Sequence, residues 1–240
     1  MNNLILVRHG QSKWNKEKRF TGWADIDLTE EGQQEARYAG KLIEELNLKF
    51  DCYFTSFQKR AINTLSIILN ILNDPNGEIN KAWELNERHY GALTGLNKDE
   101  MIIKHGHEQV HAWRRSFDTP PPKMNLSSPY HPTKNKNYKN IPVKKIPDSE
   151  SLKDTFERVV PYYQNKIEPL ILLKKNILVS AHGNSLRALC KKIFNISNEK
   201  IIDFEIPTGN PLLITYGENK NLKEYRYLDQ KRARKILFNV

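Results

Sequence analysis

The chain carries a recurring pattern in which a short apolar run ends in a polar turn and leads into a segment of helical periodicity. Residues 4–7, 50–54 and 176–180 are three such runs. Uninterrupted apolar stretches of this length predict strands buried on both faces. Behind the first, Thr29 is placed to cap a helix that opens with Glu30 and Glu31, where the helix dipole favours acids, and Ala36, Ala39, Ile43 and Leu46 follow at helical spacing. Behind the second, Ser56 is placed to cap a helix with Ala61, Ile62, Leu65, Ile68, Leu69 and Leu72 on one face, closed by the turn-forming residues 73–77. Behind the third, Asn184 is placed to cap a helix with Leu186, Leu189, Cys190, Ile193 and Phe194 turned inward. Three strand-to-helix units predict an α/β fold with a mostly parallel central sheet flanked by helices. Residues 212–216 and 222–228 enclose a polar turn and predict a hairpin that adds an edge to that sheet.

Residues 86–151 fit this scheme poorly, being rich in Pro, Lys and Asn and short of apolar runs. They predict a long excursion covering the active site, with Pro120 to Pro122 and Lys134 to Lys139 as exposed turns; excursions of this length are more often functional than structural. One domain over residues 1–240 is expected, with the excursion as its cap and residues 229–240 as a basic C-terminal tail.

The first and third runs end alike, Arg8-His9-Gly10-Gln11-Ser12 and Ala181-His182-Gly183-Asn184-Ser185. In a parallel sheet, ligands bind beyond the carboxyl ends of strands, where strand order reverses. A single His after a strand is usually a hydrogen-bonded turn residue. Two His-Gly-x-Ser endings, one preceded by an Arg that cannot fill a core, predict one phosphate-sized pocket, with Gly letting a ligand approach the backbone. Arg8, and Arg60 in the first turn after the second strand, supply guanidinium forks matched to phosphate oxygens. A neutral His among such cations can attack phosphorus, with the cations in place of a metal.

Charge sharpens this picture. Lys and Arg number 38 against 28 Asp and Glu, a formal charge of +10, which favours anionic partners. The basic cluster at residues 231–235 is read as a solvated tail rather than a nucleic-acid site. Cys52 and Cys190 lie in apolar segments without metal-type spacing, which predicts a reducing compartment, and the cytoplasm is expected. No apolar run is long enough for a membrane span, and no metal is expected despite His105, His107 and His111.

In Val7 to Ser12, Phe20-Thr21-Gly22-Trp23, Leu85-Asn86-Glu87-Arg88-His89-Tyr90-Gly91, Trp113-Arg114-Arg115, Ala181 to Ser185 and Ile206-Pro207-Thr208-Gly209, the chain resembles the 2,3-bisphosphoglycerate-dependent phosphoglycerate mutases of the histidine phosphatase superfamily. The resemblance runs from about residue 4 to 228. It implies interconversion of 2- and 3-phosphoglycerate, a step of glycolysis and gluconeogenesis, with 2,3-bisphosphoglycerate as the cofactor that primes His9. It further implies that His9 is the phosphorylated nucleophile, that Arg8, Arg60 and His182 hold the transferred group, and that Glu87 is the proton donor and acceptor. Ser12, Asn15, Thr21, Gly22, Arg88, Tyr90, Lys98, Arg114, Arg115, Gly183 and Asn184 match substrate- or cofactor-binding positions.

The implied partners are small phosphorylated three-carbon acids and a second copy of the chain in a dimer or tetramer, with no nucleic acid and no membrane. Minor bisphosphoglycerate synthase and phosphatase activities are compatible with the same site, and a phosphohydrolase of the superfamily is the competing reading. Ser12 favours the glycolytic reaction. Gln11 departs from the more usual Glu, Asn210 from an apolar residue, and the C-terminal tail from a longer one that can fold over the site.

Overall fold

The computed structural model describes residues 1–233. Strand β1 (Asn2–Arg8) is followed by the single turn α1 (Lys13–Lys16) and by α2 (Glu30–Glu44), then by β2 (Cys52–Thr55) and α3 (Lys59–Ile71). A three-residue strand, β3 (Ile79–Lys81), precedes the excursion, which contains α4 (Lys98–His105) and α5 (His107–Arg115). Helix α6 (Leu152–Tyr162) continues through a π-helical turn, Tyr163–Ile167, into α7 (Glu168–Leu172); β4 (Ile177–Ala181), α8 (Gly183–Ile193), β5 (Leu212–Tyr216) and β6 (Leu222–Tyr227) complete the order.

The sheet runs β3-β2-β4-β1-β5-β6. Strands β3, β2, β4 and β1 are parallel, β5 runs antiparallel to β1, and β6 pairs antiparallel with β5. The expected fold class therefore holds, and the hairpin supplies one edge. Alternate residues of β1 face opposite cores. Leu4 and Leu6 pack with residues of α6, α7 and α8, whereas Ile5 and Val7 pack with α2 and α3. Burial on both faces is what the uninterrupted apolar run predicted.

The switch in strand order falls between β1 and β4. The chain leaves β1 toward β2 on one side and leaves β4 toward β5 on the other, so a crevice opens above this pair. Register brings Arg8 opposite Ala181, and the His9 N–H donates to the Ala181 carbonyl at 3.0 Å. The two similar endings are thus neighbours in one ladder.

Two predicted caps differ from the structure. Thr29 caps α2 as expected, its hydroxyl accepting from the Gly32 N–H. Ser56 does not cap α3, which begins three residues later behind Gln58; its hydroxyl turns instead to His182. Asn184 lies inside the first turn of α8, and His182 holds the cap position.

The excursion is better ordered than its composition suggested. Phe20, Leu93, Met101, Val110 and Trp113 form a small core beneath α4 and α5, and Trp23, Tyr138 and Ile141 form another. Of the segments expected to be exposed turns, Pro121 is buried, and Tyr138 is buried with its hydroxyl donating to the Trp23 carbonyl at 2.8 Å. Beyond β6, Arg232 donates to the carbonyls of Thr208 and Gly209 and pairs with Asp229 at 2.7 Å. Arg234 and Lys235 of the predicted basic run lie outside the described residues. Among the described residues, no helix is long and apolar enough to cross a membrane.

Candidate active site

His9 follows the last residue of β1 and is almost fully buried. Its Nδ1 lies 2.7 Å from the Gly10 carbonyl oxygen, which can only accept, so Nδ1 carries the proton. Nε2 is left with a lone pair, facing the Nε–H of Arg60 at 3.3 Å. Burial, then Arg60, then Arg8 hold the His9 pKa well below the ordinary imidazole value, outweighing the Gly10 bond. At neutral pH this is a neutral imidazole with one available nitrogen.

His182 stands beside it, with ring centroids 5.0 Å apart. Its Nε2 meets the Ser56 hydroxyl at 2.7 Å, and that hydroxyl accepts from the Gln58 N–H at 3.1 Å. Burial, then Arg60 and His9, also keep His182 neutral.

Arg60 is fixed from behind. Its Nη1 donates to the Ala24 carbonyl at 3.0 Å and its Nη2 to the Gly22 carbonyl at 2.9 Å, so the Thr21-Gly22 segment and the second strand-to-helix turn are tied at one guanidinium. Arg8 donates to the Ile206 carbonyl at 2.9 Å, while its buried Nε has no hydrogen-bond partner among the described residues. An unpartnered buried donor beside a neutral His suits a ligand oxygen.

Glu87 reaches the same floor from the excursion. Its Oε1 accepts from its neighbour's N–H, that of Arg88, at 2.7 Å and from the Asn184 N–H in the first turn of α8 at 3.1 Å. The Arg88 side chain does not pair with this carboxylate. That guanidinium points away, donating to the carbonyls of Trp113 and Arg114 at 2.8 and 3.0 Å and lying 4.7 Å from the Tyr90 ring centre.

Of the residues predicted from sequence, Arg8, His9, Asn15, Thr21, Gly22, Arg60, Glu87, Tyr90, Lys98, Arg114, Arg115, Gly183 and Asn184 line one open cleft. Ser12, Arg88 and His182 do not line it. Ser12 caps α1, exchanging hydrogen bonds with Asn15 and so orienting a residue that does line the cleft. Arg88 braces the end of α5, from which Arg114 and Arg115 project. His182 lies behind His9, fully buried.

Two cationic lining residues were not anticipated. Arg19 comes from the turn after α1, and Arg187 from α8, one turn beyond Gly183. Arg187 donates to Asn184 Oδ1 and to the carbonyls of Arg115 and Ile201, joining α8 to the end of α5. Burial, then Arg115 and Arg88, bring it down to about 9. Its spacing from Gly183 on a helix was a readable signal.

The two glycines differ in purpose. A Cβ on Gly10 would stand 2.0 Å from the Gly32 carbonyl oxygen, so this glycine lets the His9 loop rest on the start of α2. The nearest side-chain atoms to a Cβ on Gly183 would be those of Arg8 at 3.5 Å and Glu87 at 3.7 Å, ordinary contacts within the cleft. The ligand-approach reading fits Gly183 and not Gly10. Gln11 turns away from the cleft, accepting from the Thr29 hydroxyl at 2.9 Å. Asn210 exchanges two hydrogen bonds with the backbone of Asp229.

Among the described residues, seven cationic side chains line the cleft against two carboxylates, Glu87 and Glu205. Glu205 lies 3.9 Å from Arg8 and 3.5 Å from Arg115. Burial first lowers the Lys98 pKa. Burial alone would raise Tyr90, but Arg88 and Lys98 outweigh it and bring the phenol to about 8. The balance suits a small ligand with several negative charges. His107 and His111 stack on the exposed side of α5, their rings 6.0 Å apart and away from the cleft.

Residues 4–130 match the histidine phosphatase superfamily (branch 1). Over 237 residues, 99% of both chains, the sequence is 56% identical to the 2,3-bisphosphoglycerate-dependent phosphoglycerate mutase of Pelagibacter ubique strain HTCC1062. It is 48% identical over 241 residues to the protein of the same name from Hydrogenobaculum sp. strain Y04AAS1, covering 100% of this chain and 98% of that one. Among solved structures, the α-ribazole phosphatase from Shigella flexneri superposes with a TM-score of 0.68 at 21% identity, over 95% of this chain and 96% of that one. The mycobacterial glucosyl-3-phosphoglycerate phosphatase gives 0.68 at 18% identity, over 95% and 97%. At such identities these two structures share the fold.

Proposed function

The chain belongs to the 2,3-bisphosphoglycerate-dependent phosphoglycerate mutases of the histidine phosphatase superfamily, and on that premise we propose that it interconverts 3-phosphoglycerate and 2-phosphoglycerate through a phosphohistidine on His9. The observation that carries this reading is the His9 ring. Its proton is committed to Gly10, and its bare Nε2 faces Arg60 at the floor of a strongly cationic cleft.

The surplus of cations and the unpartnered Arg8 Nε fit a bisphosphorylated acid as cofactor. When bound, 2,3-bisphosphoglycerate supplies the phosphoryl group that primes His9. Arg8 and Arg60 neutralise charge on the phosphoryl oxygens while the N–P bond forms or breaks, and the neutral His182 ring helps to hold the transferred group by hydrogen bonding rather than by charge. Glu87 accepts the proton of the attacking substrate hydroxyl as its oxygen bonds to phosphorus and the N–P bond breaks. It returns that proton to the departing oxygen when His9 recovers a phosphoryl group from the neighbouring carbon.

Asn15, Thr21, Gly22, Tyr90, Lys98, Arg114, Arg115, Gly183 and Asn184 are assigned to hold the carboxylate and the second phosphate, with Ser12 and Arg88 acting through the neighbours they fix. The excursion acts as a cap of a single domain and limits the access of water, which separates transfer to an alcohol from hydrolysis. A cytoplasmic homo-oligomer is part of the same proposal.

The test follows 2-phosphoglycerate formation from 3-phosphoglycerate with and without added 2,3-bisphosphoglycerate. Stimulated isomerisation is expected, lost in His9→Ala together with labelling by the bisphosphate. Phosphate release without isomerisation would instead favour the phosphohydrolase.

A further inference from the structure

Glu87 belongs to a stretch, residues 86–90, that is neither helix nor strand, so nothing in its own secondary structure holds it in place. What holds it lies on the side away from the cleft, where α6 presents Arg158. All five guanidinium donors of Arg158 are used. Nη1 donates to the carbonyls of Glu84 at 2.6 Å and Asn86 at 3.1 Å, and Nη2 to the carbonyl of Glu87 itself at 3.1 Å. The remaining two go to Glu150, Nε to Oε1 at 2.6 Å and Nη2 to Oε2 at 2.9 Å.

Glu150 completes the clamp. Its Oε2 accepts from the His89 N–H at 2.7 Å, and its own N–H donates to the His89 carbonyl at 2.9 Å. Both side chains of the pair are nearly buried, at 8% and 4% exposed. From the front, the Gln58 side chain accepts from the Glu87 N–H at 2.8 Å. The backbone of the acid–base residue is thus held from both sides, and its carboxylate is left to reach Asn184 and the cleft.

Taking Glu87 as the acid–base group proposed above, we infer that the buried Glu150–Arg158 pair is the positioning device for that carboxylate. The arrangement requires a planar fork with five donors; a lysine has three donors from one point and cannot span three carbonyls and a carboxylate. A proton must pass between Glu87 and a substrate oxygen within hydrogen-bond reach, and misplacement by about 1 Å can slow such a step by about 100-fold. The cations that bind the ligand stand on other segments, and of the binding residues that line the cleft only Tyr90 shares this one with Glu87, so the clamp acts mainly on turnover.

The experiment compares Arg158→Lys and Glu150→Gln in the full chain, each alone and combined with Glu87→Gln, reading kcat, KM for 3-phosphoglycerate at saturating 2,3-bisphosphoglycerate, and melting temperature. In the otherwise unaltered chain, Arg158→Lys is expected to lower kcat by about 10- to 100-fold with KM changed less than about threefold. On the Glu87→Gln background the same change should lower the residual rate by less than about threefold, because a residue acting through Glu87 has nothing left to position. Should Arg158→Lys not fold, Glu150→Gln, which keeps the shape of the pair, carries the same comparison. Equal losses on both backgrounds would overturn the positioning role. A Glu87→Gln enzyme as fast as the unaltered one would instead overturn the assignment of Glu87, and this inference with it.

Discussion

Lowering the pH from 7.5 to 5.5 should cost this fold about 4 kcal/mol, because three histidines are buried in neutral form. His9 and His182 sit at the floor of the cleft, both held well below the ordinary value chiefly by burial. His89 lies outside the cleft, beside Trp23, and burial lowers it to about 4. In the unfolded chain each titrates near 6.5. All three folded values are depressed, so below pH 6.5 the unfolded chain binds more protons than the folded one. Stability is complete above that value and falls as pH drops toward the folded values. Between pH 7.5 and 5.5 each histidine contributes a loss of a little over 1 kcal/mol, about 4 kcal/mol for three. Urea denaturation followed by circular dichroism, in buffers free of phosphate and other binding anions, reads the change as a shift in midpoint at constant slope. Substituting His89→Gln should remove about a third of the pH dependence. Stability that is flat over this interval, or a His89→Gln protein with an unreduced slope, would refute the neutral, buried state of these rings.

Three further substitutions test the local arrangement. Ser56→Ala removes the hydroxyl from His182 Nε2 and from the Gln58 N–H, and kcat/KM should fall about tenfold, the equivalent of one buried hydrogen bond; unchanged steady-state kinetics would refute a role in holding His182. Glu205→Gln removes the carboxylate beside Arg8 and Arg115, and KM for 3-phosphoglycerate should fall by up to about fivefold, the upper range for a partly exposed ion pair; a raised KM would show that Glu205 does not compete with substrate. Gly10→Ala should lower the melting temperature by several degrees, about 2 kcal/mol of overpacking, whereas Gly183→Ala should raise KM with less effect on melting. Equal melting losses would refute the distinction drawn from their surroundings.

The central strands were legible because burial on both faces leaves an uninterrupted apolar run, as in Leu4 to Val7. Strand β3 was missed because Ile79-Asn80-Lys81 lies at the sheet edge, with one apolar residue in three. Local capping rules succeeded at Thr29, whose hydroxyl accepts from the Gly32 N–H while donating to the neighbouring Gln11. They failed at Ser56, where a buried ring 126 positions away supplies a partner that no local pattern reveals. Paired endings and resemblance located most of the cleft. Arg187 was overlooked because an arginine in an amphipathic helix reads as solvated until the approach of α5 is known, and Arg88 was expected in the cleft although it braces the cover. The cores of the excursion were hidden because their members, such as Phe20, Val110 and Tyr138, are scattered singly among polar residues.

The pairing of β1 with β4 makes the sheet a ruler for the catalytic floor. Strands present alternate residues to opposite faces, so sliding one past the other by a single position would shift His182 by about 3.3 Å relative to His9 and turn its neighbours to the wrong side. An inserted or deleted residue in either strand therefore removes the site even where the sheet survives, while the turn after α3 can lengthen at its exposed tip, Pro75-Asn76, without altering the spacing of the histidines. For an engineer, that turn and not the strands is the place to attach a tag or a second domain.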